Sequence, residues 1–299
     1  MKTKNKNSDV KDRKAQKEIQ DIEIKERLRH IKNKILVMSG KGGVGKSSVA
    51  AYLSVALAKR GYKVGLMDVD LHGPSIPRLL GLKGRLEPGR HAGKVQPVKY
   101  LPNMEVISFE VFAGENKDVA TIWRGPLKIG AIRQFISDIE WMDLDYLIID
   151  SPPGTGDEPL TVAQTIPEAK ALIVTTPQEI SLADVRKSIN FCRELKMNII
   201  GLVENMSGLR CPHCGKIIDI FKTRGGALTA EKENLKLLAT LPFELEVVKK
   251  GDVGDISLLD NEELLITQEF NNMVNEITKI TQKDTSPVGH DHKRVLQAG

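Results

Sequence analysis

The chain has 299 residues, 40% hydrophobic and 28% charged, with a formal net charge of +5 and aromatic side chains at only 4%. This is the composition of a globular protein of one large or two small domains. It argues against an aromatic platform for single-stranded nucleic acid, and no run of about 18 apolar residues is present to cross a bilayer as a helix. Three cysteines are too few for a disulfide framework and fit a reducing compartment, so a cytoplasmic location is expected.

The positive charge is localised. Residues 1–34 hold 12 Lys/Arg against 6 Asp/Glu, an excess of +6 that leaves the remainder near −1. Residues 1–32 therefore read as a basic, solvated and partly disordered arm. Met1 leads into alternating lysines and polar residues without the apolar h-region of a secretory signal. Beyond the arm, residues 33–281 alternate short apolar runs with helical patterns, which predicts one doubly wound α/β domain, a mostly parallel sheet flanked by helices. Residues 282–299 read as a disordered tail in which His290-Asp291-His292 is assigned no site.

The first strand is expected at 34–39, and a helix at 48–60 that closes on Gly61. Between them lies Gly40-Lys41-Gly42-Gly43-Val44-Gly45-Lys46-Ser47-Ser48, a G-x-x-x-x-G-K-S loop. Its glycines let backbone N–H groups approach anionic oxygens, Lys46 places a charge near the β- and γ-phosphates of a nucleotide, and the Ser47 hydroxyl suits Mg²⁺. Strand, loop and helix in this order put the phosphates at a helix N-terminus, where orphan N–H groups and the dipole favour anions. Lys41 is a second cation that this minimal chemistry does not need. It points to an active site completed by another copy of the chain.

A second strand at 63–68 runs into Asp68-Val69-Asp70. Residues two apart on a strand share a face, so both carboxylates are expected near its carboxyl end, where one can orient a water toward a γ-phosphate. Residues 81–103, rich in Gly, Pro and Lys/Arg, look like a mobile surface excursion before a strand at 104–109. The strand at 146–150 ends in Asp150-Ser151-Pro152-Pro153-Gly154. An acid in that place holds Mg²⁺ in loop-type nucleotidases, and the Gly154 N–H is positioned to meet a γ-phosphate. A strand at 171–175 precedes a helix opening at Ser181-Leu182-Ala183-Asp184, with Leu182, Val185, Ile189 and Cys192 on its apolar face; Cys192 is thus a packing residue.

After a strand at 199–204 comes Cys211-Pro212-His213-Cys214-Gly215, a metal knuckle by spacing. Cys211 and Cys214 supply half of the four ligands that zinc or a 4Fe–4S cluster takes, so two copies of the chain make a complete set. From spacing alone zinc ranks ahead of iron–sulfur, with a redox pair third, and His213 is a bystander inside the turn. The last elements expected are a strand at 236–241 and an amphipathic helix at 262–280 with Leu265, Phe270, Met273, Val274 and Ile277 among its apolar positions. That helix carries Glu262, Glu263, Glu269 and Glu276 against Lys279, which disfavours an anionic membrane.

The glycine loop, D-V-D-L-H-G-P-S from Asp68, W-R-G-P from Trp123, D-S-P-P-G-T-G-D from Asp150, V-T-T-P-Q-E from Val174, V-E-N-M-S from Val203 and C-P-H-C-G from Cys211 together resemble the Mrp/ApbC iron–sulfur carrier family, a branch of the MinD/ParA-like P-loop NTPases with a deviant phosphate loop. The resemblance spans about residues 30–280. It implies a homodimeric ATPase in which Lys41 reaches the partner's phosphates and acts with Lys46 and Asp70, the last positioning the attacking water. Ser47 and Asp150 would bind Mg²⁺, and Asn205 would hydrogen-bond the adenine. It also reverses the order drawn from spacing, favouring a labile 4Fe–4S cluster bridged by Cys211 and Cys214 of two chains and delivered to apoproteins with the help of assembly proteins. The basic arm lacks the extra cysteine cluster of some relatives. Neither membrane nor nucleic acid is expected as a partner; the alternatives are a MinD/ParA-like positioning ATPase and an ATPase with a structural zinc.

Overall fold

The computed structural model describes residues 4–70, 73–83, 86–113, 125–211, 213–219 and 224–284. Leu71, His72, Trp123, Arg124, Pro212 and the tail from 285, with His290-Asp291-His292, lie outside the described residues. The helices are α1 (Lys4–Arg29), α2 (Lys46–Lys59), α3 (Ile76–Leu79), α4 (Phe109–Ala113), α5 (Gly125–Ser137), α6 (Asp157–Thr165), α7 (Glu179–Glu194), α8 (Gly225–Lys232), α9 (Leu245–Asp252) and α10 (Leu265–Asp284). The strands are β1 (Ile31–Ser39), β2 (Val64–Asp68), β3 (Glu87–Pro88), β4 (Val95–Gln96), β5 (Val98–Leu101), β6 (Met104–Ser108), β7 (Leu144–Asp150), β8 (Lys170–Thr175), β9 (Ile199–Glu204), β10 (Leu209–Arg210), β11 (Ile217–Ile218) and β12 (Leu237–Thr240).

One eight-stranded sheet runs in the order β12-β9-β8-β1-β7-β2-β6-β5. All its neighbouring strands pair in parallel except β5, which is antiparallel to β6 at the edge. The apolar runs are continuous because both faces are covered. Along β1, Ile35 and Val37 pack with α2 and with Phe270, Met273, Val274 and Ile277 of α10, whereas Leu36 and Met38 pack with α5, α6 and α7 on the other face. Each fully buried Leu, Ile or Val is worth roughly 1.5–3 kcal/mol by removal from water. The rigid part of the molecule is therefore the sheet, and the loops at its carboxyl edge are held by well-fixed strand ends.

Several expectations need correction. The arm over 1–32 is not an unstructured tail: from Lys4 it is helix α1, and Ile31 and Lys32 already belong to β1. Its Lys, Glu and Gln residues are good helix formers, and Ile24, 3% exposed, enters the core beside α5. Arg133 holds the Asp21 carboxylate and the Gln20 side-chain oxygen Oε1, and the Arg27 guanidinium donates to Trp141 O at 3.2 Å. The excursion at 81–103 contains the β3–β4 hairpin and the edge strand β5. Helix α7 starts at Glu179, two residues before the expected capping box, with Gln178 as its N-cap. The last helix begins at Leu265 and continues through Asp284, past the expected start of the tail at 282.

Candidate functional site

The loop from Gly40 to Gly45 joins β1 to α2 at the carboxyl edge of the sheet, where strand order reverses around β1. Gly43 and Gly45 have φ of 77° and 79°, the left-handed region that a side chain resists. Behind the loop, the Asn205 carboxamide donates from Nδ2 to Val44 O at 2.9 Å. A Cβ on Gly45 would run into that same nitrogen.

The loop walls a cavity of about 310 Å³ that Lys41, Lys46, Ser47, Asp70 and Pro153 share. A second cavity of about 570 Å³ continues from Gly45 and Ser48 past Asn205 to Pro242, Phe243 and Tyr52. The polar chamber at a helix N-terminus suits a polyphosphate and the adjoining, largely apolar one suits a base.

Lys46 is 6% exposed and donates to Asp150 Oδ1 at 2.5 Å and to Ser47 Oγ at 3.2 Å. Asp150 ends β7, is fully buried, and its Oδ2 has no hydrogen-bond partner among the described residues. Burial pushes its carboxyl up from the ordinary carboxylate range while the Lys46 charge pulls it down. Asp68, also fully buried, is pushed well above that range by burial and then by the charge of Asp150. Two buried carboxylates against one ammonium form a site short of positive charge. A divalent cation bound through the orphaned Asp150 oxygen and the Ser47 hydroxyl fits that deficit.

Asp70 lies beyond the end of β2, so the alternation argument that put it on one strand face with Asp68 does not apply. It nevertheless lines the phosphate cavity, with Oδ1 accepting from Gly73 N at 3.3 Å. Lys41 is half-buried, and its Nζ donates to Gln178 Oε1 at 3.3 Å. The Gly154 N–H donates to Ser39 O at 2.8 Å, a bond it must give up to reach a phosphate. Sequence reasoning missed Gln178, the N-cap of α7, as a partner of Lys41, because the two are 137 residues apart in the chain.

The knuckle is the tip of a hairpin formed by β10 and β11. Cys211 is half-buried and Cys214 exposed, and Gly215, with φ of 71°, closes the turn by donating to Cys211 O at 2.9 Å. The backbone N–H groups of His213 and Cys214 face the Cys211 sulfur and hold its thiol below the ordinary cysteine range. That is an environment for a thiolate. Among the described residues no three or more His, Cys, Asp or Glu side chains gather around a common metal position. Asn205 N donates to Thr175 O, Ser207 N to Leu241 O and Phe243 N to Gly208 O, so the span from β9 to the knuckle is pinned along its length.

Cys192 is buried against Met38, and burial pushes its thiol up to about 12. In metal-free protein, iodoacetamide at neutral pH is expected to modify Cys211 and Cys214 and to spare Cys192. Mass spectrometry of the proteolytic peptides checks this. Cys211 is expected to stay reactive at a lower pH than an ordinary thiol, because its thiolate persists there.

A family model described as ParA, NUBPL iron-transfer P-loop NTPase, matches residues 30–278. The chain is similar to the iron-sulfur cluster carrier protein of Methanocaldococcus jannaschii, with 44% identity over 262 residues covering 87% of this chain and 89% of that one. Among solved structures it is similar to a nucleotide-binding protein from Archaeoglobus fulgidus, described as a complex with ADP and with Co. The TM-score is 0.71 at 39% identity, over 84% of this chain and 96% of that one. The MinD cell division protein of Aquifex aeolicus shares the fold, with a TM-score of 0.58 at 21% identity over 83% of this chain and 97% of that one.

Proposed function

The chain belongs to the ParA family of iron-transfer P-loop NTPases, and on that premise we propose that it is an ATP-hydrolysing homodimer that carries a bridging 4Fe–4S cluster and hands it to cytoplasmic apoproteins and their assembly partners. The observation that carries this reading is the presence, in one chain, of a phosphate cavity with Lys41 on its wall and a two-thiol knuckle beginning six residues after Asn205. Each half is incomplete alone. Lys41 is surplus to the loop of its own chain, and two thiolates are half the set that a cluster takes.

In the proposed cycle, the loop N–H groups receive the β- and γ-phosphates, and Lys46 turns from Asp150 to their oxygens. Asn205 exchanges its bond to Val44 O for the adenine, to which its amide offers both a donor and an acceptor. Asp70 orients the water for in-line attack, and Lys41 of the second chain stabilises charge on the transferred group as an arginine finger does. Ser47 and Asp150 would hold Mg²⁺, which would neutralise charge developing on the phosphate oxygens.

Anaerobic reconstitution with iron and sulfide, followed by visible absorption and iron counting, tests the cargo. The expected result is a charge-transfer band and about two irons per chain, half of a 4Fe–4S cluster. The Cys211→Ser/Cys214→Ser variant is expected to lose both while keeping ATP affinity. Identical, cluster-free spectra from the parent and the variant would overturn the cargo, and zinc bound through both cysteines in protein purified without oxygen would replace it with a structural metal.

A further inference from the structure

The strand ends beneath the phosphate cavity carry an arrangement that the nucleotide chemistry above leaves unused. Asp68, at the end of β2, is in register with Ser108 at the end of β6 on one side and with Asp150 at the end of β7 on the other. All three are fully buried. Lys46 bonds to Asp150 and Ser47, whereas both oxygens of Asp68 are engaged elsewhere. Oδ1 accepts from the Asp70 backbone N–H at 3.1 Å, and Oδ2 accepts from Ser108 Oγ at 3.0 Å. Ser108 Oγ in turn accepts from Glu110 N at 3.3 Å, which fixes the hydroxyl.

The place of the Asp70 N–H in the chain gives this bond its weight. The backbone ladder of β2 stops at Asp68, and the next N–H, that of Val69, is taken by Asp150 O at 2.9 Å. Asp70 N is the first amide beyond the ladder, and a side chain holds it. A carboxyl buried among three strands is among the least mobile anchors a loop can have, because its own two bonds set the plane of the acceptor.

We propose that Asp68 is a positioning residue for hydrolysis: clamped by Ser108, it holds the Asp70 backbone so that the Asp70 carboxylate projects into the phosphate cavity. The inference rests on the hydrolytic reading above and adds a residue to it. Asp68 touches neither the water nor the phosphates. It acts through Asp70, and what it contributes is an acceptor at a fixed point. Asparagine provides the same acceptor at Oδ1 and offers Nδ2 to Ser108 Oγ, which has a second lone pair to receive it. Alanine provides neither.

The test is steady-state ATP hydrolysis with a parallel ATP-binding titration for the parent, Asp68→Ala, Asp68→Asn and Ser108→Ala, all as full chains. Asp68→Ala is expected to lower kcat by up to about a hundredfold, the scale of an ångström of misplacement. Its ATP affinity is expected to stay within a few-fold. Asp68→Asn is expected to recover most of the lost kcat, and Ser108→Ala to show a smaller loss in the same direction. If Asp68→Asn turns over as slowly as Asp68→Ala, charge rather than the acceptor matters and the proposal is wrong. Equal losses of affinity and kcat in both Asp68→Ala and Ser108→Ala would reduce the residue to a structural one. Turnover in the parent with no change in any variant overturns this inference alone; no turnover in the parent overturns the hydrolytic reading and this inference with it.

Discussion

Replacing Lys41 with alanine is expected to lower ATP turnover by roughly 10³-fold or more, the scale on which an arginine finger acts. ATP affinity is expected to stay within about fivefold, since a half-exposed cation adds up to about 1 kcal/mol to ground-state binding. The split follows from what Lys41 touches. Its Nζ is bonded to Gln178 rather than to Lys46, Ser47 or Asp150, so the cis site keeps its own lysine, hydroxyl and carboxylate when Lys41 is removed. A mixing experiment separates trans from cis action. A chain lacking Lys41 but holding Asp70, combined with a Asp70→Ala chain that still has Lys41, builds one competent site per mixed dimer if the lysine crosses the interface. Turnover is then expected to reappear in the mixture although each variant alone is inactive. Parallel loss of affinity and turnover in Lys41→Ala, with no recovery on mixing, would place the lysine in its own chain's site.

Gly40→Ala is expected to abolish tight nucleotide binding by a different route. A Cβ at Gly40 would lie against the backbone carbonyl of Asp184, near the start of α7, and 2.7 Å from the Asp184 side-chain carbon. The backbone of a packed helix cannot swing aside, so the loop must move by about an ångström, a displacement that costs about a hundredfold where alignment matters. Overpacking of this kind also destabilises by about 1–3 kcal/mol. Titration with a fluorescent ATP analogue and urea unfolding read the two effects. Gly42→Ala supplies the stability control, because its added methyl meets only Pro153 Cγ, at 3.9 Å. A Gly40→Ala protein with the parent's stability and affinity would show that α7 yields.

The features legible in the sequence are those whose information is local. The apolar run of β1, the glycine loop and the alanine-rich α2 are contiguous, and each constrains the next through the chain itself. Seven sheet strands were legible because burial against the flanking helices writes them as short runs rich in apolar residues. β5 was not, since Pro97 and Pro102 bracket Val98–Leu101 and its residues are only partly buried, as suits an edge strand. α1 escaped because its docking rests on Ile24 and a few polar links among charged residues, with no apolar stripe for a periodicity to reveal. The Asp68–Ser108–Asp150 row was illegible in principle. It depends on the register of three strands separated by some forty residues at each step, which no local pattern encodes.

The short span between Asn205 and Cys211 has a thermodynamic consequence. One end is tied to the phosphate loop through Val44 O and the other carries Cys211, the proposed metal ligand, with backbone bonds to the loop that follows β12 between them. Work done on such a span cannot be one-directional. Whatever factor a nucleotide imposes on the hold over the metal, the metal must impose on the hold over the nucleotide. A titration of ATP against metal-loaded and metal-free protein therefore measures, from the nucleotide's side, how far ATP can loosen or tighten the cargo.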